Sequence, residues 1–210
     1  MSWKTFFQDK KNRIELITTV ILLTVLMLSF SQFLQFIEQR EGVTLNDPLL
    51  KAFNPIDLTW LTFSLIYLSL ILFLFIIRKD PYKVTIALQT YGLMVIFRII
   101  SMYLVPLEAP TTLVLLDDPF VQLFGKGDIL TKDLFFSGHT GTLFILFLLT
   151  ENKSLKFIFL ISTIAVGIAV LLQHVHYSVD VLIAPFVAYG AFRIVILLHK
   201  KNSEFIANKL

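Results

Sequence analysis

His139, His174, His176 and Asp180 are the residues of this 210-residue chain whose types and spacing point most directly to chemistry. His176 and Asp180 stand four positions apart at the opening of an apolar run, so on a helix their side chains share one face. A carboxylate so placed holds an imidazole in one tautomer and stabilises the imidazolium that forms when the other ring nitrogen reacts. Upstream, Ser137-Gly138-His139-Thr140 opens a second apolar run. Backbone N–H groups at a helix start lack intrahelical partners, and the positive helix end favours an anion such as phosphate. Gly138 admits a ligand close to the backbone, and Ser137 serves either as helix cap or as a hydrogen-bond donor to phosphate.

Arg98 lies seven residues before the end of a third run, 84–105, deep enough that its guanidinium needs an anion, a carbonyl or a water-filled cavity. That anion is either a bound phosphate or the carboxylate of Asp133 or Asp180. His174, two residues from His176, would point elsewhere on a continuous helix, and its role stays open, as does that of Glu108. Asp117, Asp118, Lys126 and Asp128 read as solvated loop charge.

The elements that must position these residues are membrane helices. At 56% hydrophobic residues with 21 Phe, the chain is more apolar than an ordinary soluble domain, which runs about 45–50%. Apolar runs at 16–37, 58–77, 84–105, 134–150, 155–173 and 177–198 approach the ~20 residues a helix needs to cross a bilayer. The expected fold is all-α, a polytopic membrane protein of six transmembrane helices forming a single integral-membrane domain over 1–210. The run 134–150 is short, but it can begin inside a protein-lined cavity and is expected to be more than a half-helix. The N-terminal run lacks a signal-peptide cleavage site and reads as a retained first span.

Alternating sides collects 13 of the 18 Lys and Arg on one face, which puts both termini in the cytoplasm. The same assignment places His139, His174, His176 and Asp180 together on the non-cytoplasmic face. There the connections 38–57 and 106–133 are long, polar and proline-containing, whereas the cytoplasmic links 78–83 and 151–154 are short. No Cys occurs, which removes disulfides and thiolate chemistry. The basic residues fall in small juxtamembrane groups, not on a stripe, so nucleic acid is not an expected partner.

A longer motif runs Asp133-Leu134-Phe135-Phe136-Ser137-Gly138-His139-Thr140. With His176-Tyr177-Ser178-Val179-Asp180-Val181 and Arg98-Ile-Ile-Ser-Met-Tyr103, it resembles the sphingomyelin synthases and ceramide phosphoethanolamine synthases. These form a branch of the type-2 phosphatidic acid phosphatase superfamily, and the likeness extends over about residues 45–192. The chain lacks the wider superfamily's Lys-Arg-Pro motif and the Ser-Arg before the second histidine, so a general phosphatidate phosphatase is the poorer match.

The resemblance implies a phosphotransferase with catalytic His139, His176 and Asp180. Arg98, Asp133, Ser137, Gly138 and Tyr177 would contact the substrate, and neither metal nor other cofactor would be used. His176 would attack the phosphorus of a glycerophospholipid headgroup to give a phosphohistidine. His139 would protonate the departing diacylglycerol and then deprotonate a lipid alcohol such as ceramide. A lipid phosphatase or phospholipase C-type hydrolase would use the same residues. Two other classes compete: a zinc hydrolase built on His139, His174 and His176, and a transporter relaying protons through the same groups.

Overall fold

The computed structural model describes residues 2–118 and 130–199. Among these it has seven α-helices and no strand: α1 (Trp3–Gln8), α2 (Lys10–Gln39), α3 (Thr59–Ile77), α4 (Pro81–Leu104), α5 (Gly138–Leu149), α6 (Lys153–Leu172) and α7 (Ser178–His199). Local sequence sets their starts. Asp9 caps α2 by accepting from Lys11 N, Asn152 caps α6 by accepting from Leu155 N, and Pro81 opens α4, where its missing N–H costs nothing. Five helices, α2, α3, α4, α6 and α7, are long and apolar enough to cross a membrane. Their outward faces carry bare hydrophobics such as Trp60 and Phe186, 73% and 77% exposed, which suits a lipid solvent.

The run 134–150 is helical only over its last part, Gly138–Leu149, which is 12 residues. The helical part is thus shorter than the expected 134–150: at 1.5 Å per residue it is about 18 Å long, against a ~30 Å hydrocarbon thickness. It fits the bundle because its start is recessed. Gly138 abuts Arg98, six residues before the end of α4, and Thr140 packs on Gly167, five residues before the end of α6. Those offsets put the first residue of α5 roughly 5–9 Å below the ends of its neighbours. At the other end, Glu151 just past α5 pairs with Lys83 in the first turn of α4 at 2.9 Å.

Apolar surface gains little by leaving lipid for protein, so close approach has to come from shape. On α7, Ala184, Ala188 and Ala191 are fully buried and form a stripe of small side chains against Met94, Phe136 and Ile145. A second cluster joins Phe63, Phe73, Leu143, Phe159 and Val166 of α3, α5 and α6. Helix α5 packs closely on both α6 and α7, α4 lies beside α7 and α5, α3 lies along α6, and α2 lies mainly along α4. The ends of α2, α4 and α6 and the starts of α3, α5 and α7 meet at one end of the bundle, joined through Glu38 to Thr131, Arg98 to Asp133 and Gln173 to Leu58.

Candidate active site

Helix α6 stops at Leu172, and His174 takes a left-handed backbone conformation, φ 56°, that turns the chain towards α7. His176 therefore lies in the turn before α7, not on the helix as the four-residue spacing suggests. Asp180, in the first turn of α7, reaches back to it. One carboxylate oxygen, Oδ2, lies 3.4 Å from His176 Nδ1 and accepts from Tyr177 N at 3.1 Å. The backbone bond has the form of a capping box, in which an acidic side chain in the first turn satisfies an amide just before the helix. One residue thus starts the helix and orients the imidazole. Both side chains are buried, and Asp180 Oδ1 has no hydrogen-bond partner.

His139 comes to the same place from the recessed start of α5. Its ring centroid lies 6.1 Å from that of His176 and 6.0 Å from the Phe63 ring, and its Nδ1 is buried without a partner. Ser137 caps α5: its hydroxyl accepts from Thr140 N at 3.4 Å. Its own amide donates to the Asp180 carbonyl at 3.1 Å, tying the starts of α5 and α7 together.

Arg98 Nη2 donates to Asp133 Oδ1 at 2.6 Å, the ion pair that the sequence offered as one of two readings. Its guanidinium carbon lies 5.9 Å over the Phe30 ring, and Nε is buried without a partner. A Cβ at position 138 would fall on this guanidinium, so any larger residue there has to displace the arginine. His139, His176, Asp180, Ser137, Gly138, Arg98 and Asp133 are thus brought to one end of the bundle. Tyr177 is used differently: its hydroxyl donates to the Glu108 carbonyl at 2.9 Å and accepts from Leu45 N at 3.2 Å, binding two loops.

His174 is held apart from this group, with Nδ1 2.5 Å from Thr112 Oγ1 and its ring against Phe53 at 5.1 Å. Burial pushes its pKa below the ordinary 6.5, with Asp47 acting the other way. Among the described residues no three His, Cys, Asp or Glu side chains form a metal-donor group, so the trio His139, His174 and His176 is not assembled as one. Glu108 receives Lys132 Nζ at 2.8 Å and Gly42 N at 2.9 Å, and the lysine hydrogen bond lowers its pKa.

Several ties were not foreseen. Asp47 Oδ2 accepts from Ser178 N at 2.7 Å and Ser178 Oγ at 2.5 Å, so a residue far back in the chain caps α7. Glu38, at the end of α2, accepts from the amides of Thr131 and Lys132 and fixes the segment that leads into Asp133. Gln173 is fully buried and bonds to Leu58 N, Thr59 Oγ1 and the carbonyls of Val114 and Leu115. Asp118, expected to be solvated, receives the Tyr67 hydroxyl at 2.6 Å. Lys126 and Asp128 lie outside the described residues.

The histidines, Asp133 and Asp180 fall on a single stretch of chain that also carries α5, α6 and most of α7. Residues 132–197 match the family model described as PAP2 superfamily C-terminal. The match spans about a third of the chain and likens that segment to the C-terminal part of PAP2 superfamily proteins. The PAP2-matching segment supplies both candidate histidines and Asp180, while Arg98, Asp47 and Glu38 reach it from outside. Comparison with curated proteins returns no match for the chain.

Proposed function

We propose that the chain is a membrane lipid phosphotransferase, moving a phospho-headgroup from a glycerophospholipid to a lipid alcohol such as ceramide. The observation that carries this reading is the facing pair His139 and His176, 6.1 Å between ring centroids, with Asp180 on Nδ1 of the second. With Nδ1–H donating to Asp180, Nε2 of His176 keeps its lone pair and is the nucleophile. It attacks phosphorus, the bond to the diacylglycerol oxygen breaks, and that oxygen takes a proton from His139. The acceptor hydroxyl then gives its proton to His139 as its oxygen attacks the phosphohistidine, which returns both histidines to their starting states.

Arg98, pinned by Asp133 against Gly138, and the amides at the start of α5 supply positive potential for the phosphoryl oxygens. No metal or other cofactor enters this scheme. We place the site on the non-cytoplasmic side, with six crossings and both termini in the cytoplasm. The bias of Lys and Arg towards the helix ends away from the histidines supports this.

The test is a headgroup-labelled phospholipid given to purified protein with and without ceramide. Label in a ceramide product, lost in His176→Ala, is the expected result. Label released only to water, whatever acceptor is present, would replace the transferase reading with a hydrolase using the same residues.

A further inference from the structure

The end of the bundle away from the histidines holds a second polar site, which the proposed chemistry does not use. A cavity of about 460 Å³ lies between α3, α4, α5, α6 and α7, within the ~300–1,000 Å³ range of small-ligand sites. Ile86 and Phe192 are among its apolar walls, and Lys83, Glu151, Lys156 and Arg193 supply its charge. Glu151 pairs with Lys83 at 2.9 Å, which leaves two cations in excess. Lys156 Nζ lies 4.9 Å over the Phe147 ring.

Arg193 is the anomaly. It stands six residues before the end of α7, about 9 Å inside the helix end. It is half-buried, and among the described residues it has neither an ion pair nor a hydrogen bond. The topological bias of cations to one face accounts for solvated lysines at helix ends. It does not account for an unpaired guanidinium inside a walled cavity, since an ionisable group at membrane depth is costly without a partner.

We infer that this cavity binds the phosphate of an anionic phospholipid drawn from the leaflet on that side. Arg193 offers a planar fork for two phosphate oxygens, and Lys156 adds a point charge. Tyr189 lines the cavity and is 49% exposed on the outer surface of α7, so the cavity opens sideways to lipid as well as towards the helix ends. A phosphate held at Arg193 can therefore keep its acyl chains in the bilayer.

The test uses the full chain in phosphatidylcholine nanodiscs doped with phosphatidylglycerol, with retained lipid read by native mass spectrometry. Wild type and His176→Ala are expected to retain phosphatidylglycerol equally, and Arg193→Gln to lose roughly tenfold in retention, the scale of one charge-assisted pair. Lys156→Gln, which removes a partly exposed lysine, is expected to shift retention in the same direction, and Arg193→Lys to keep part of it. Undiminished retention in both glutamine variants overturns the site. Loss in His176→Ala assigns the lipid to the histidine end and overturns it too. Displacement of the lipid by inorganic phosphate would make this a soluble-anion site and overturn the lipid assignment.

Discussion

The two ends of the bundle solve the same problem, polar groups at the edge of a greasy core, in opposite ways. At the histidine end, segments from the first and second long connections fold inward and satisfy buried groups one by one: Asp47 on Ser178, Glu38 on Thr131 and Lys132, Gln173 on three backbone groups of two segments. At the other end the connections are short, the cations sit near the helix ends, and Arg193 is left without an anion. Chemistry needs atoms held within fractions of an ångström, and loops long enough to wrap are how this chain supplies that constraint. An end that only recruits a ligand can leave its charge waiting.

The comparison breaks first at the histidines. His176→Ala is expected to lower turnover by on the order of 10⁴-fold or more, and His139→Ala or Asp180→Asn by about 10²–10⁴-fold. Circular dichroism and membrane insertion should be unchanged in all three. Near-normal turnover in any of them would show that the tightly held end is structural. Next comes Gly138→Ala, which drives a methyl into the Arg98 guanidinium and should cost about 10²-fold in kcat/KM with helix content intact.

Asp47→Ala leaves Ser178 N without its acceptor and should destabilise by about 1–2 kcal/mol, read from thermal unfolding in detergent. The same carboxylate gives a pH signature. Burial raises its pKa, but the Ser178 hydroxyl and the amides of Ser178, Leu49 and Leu50 outweigh burial and hold it below its ordinary 3.8. Its contribution is therefore full above that value and lost as pH falls through the lower folded value. Wild type should lose stability on acidification more steeply than Asp47→Ala. The smallest effect is expected at the far end. Glu15→Gln, which removes a partly exposed partner of His199 at 3.2 Å, should cost under about 1 kcal/mol, and a larger loss would mean that both ends are locked alike.

What the sequence makes legible follows from range. The long helices and the His176–Asp180 pair are local features, set by runs of apolar residues and by a spacing of four. Even so, the spacing conceals that His176 precedes the helix, because nothing local announces the left-handed turn at His174. The recessed start of α5 was hidden in a run whose first residues are as apolar as the rest: Leu134 and Phe136 are buried without being helical. Asp47, Glu38 and Gln173 were invisible for another reason. Their partners lie 131, 93 and 115 positions away, and a polar residue in a connection looks the same whether it meets water or caps a distant helix.

Gln173 carries a consequence for anyone who would re-engineer this molecule. One neutral amide joins the entry to α3, the segment at Val114 and Leu115, and the exit from α6, so these three pieces of chain share a single junction. They cannot be varied as independent modules. A connection lengthened or borrowed from another protein to change which lipid is accepted must present the same carbonyls and amide to that junction. Without them, the graft will shift the turn bearing His176, three residues on, before it alters any preference.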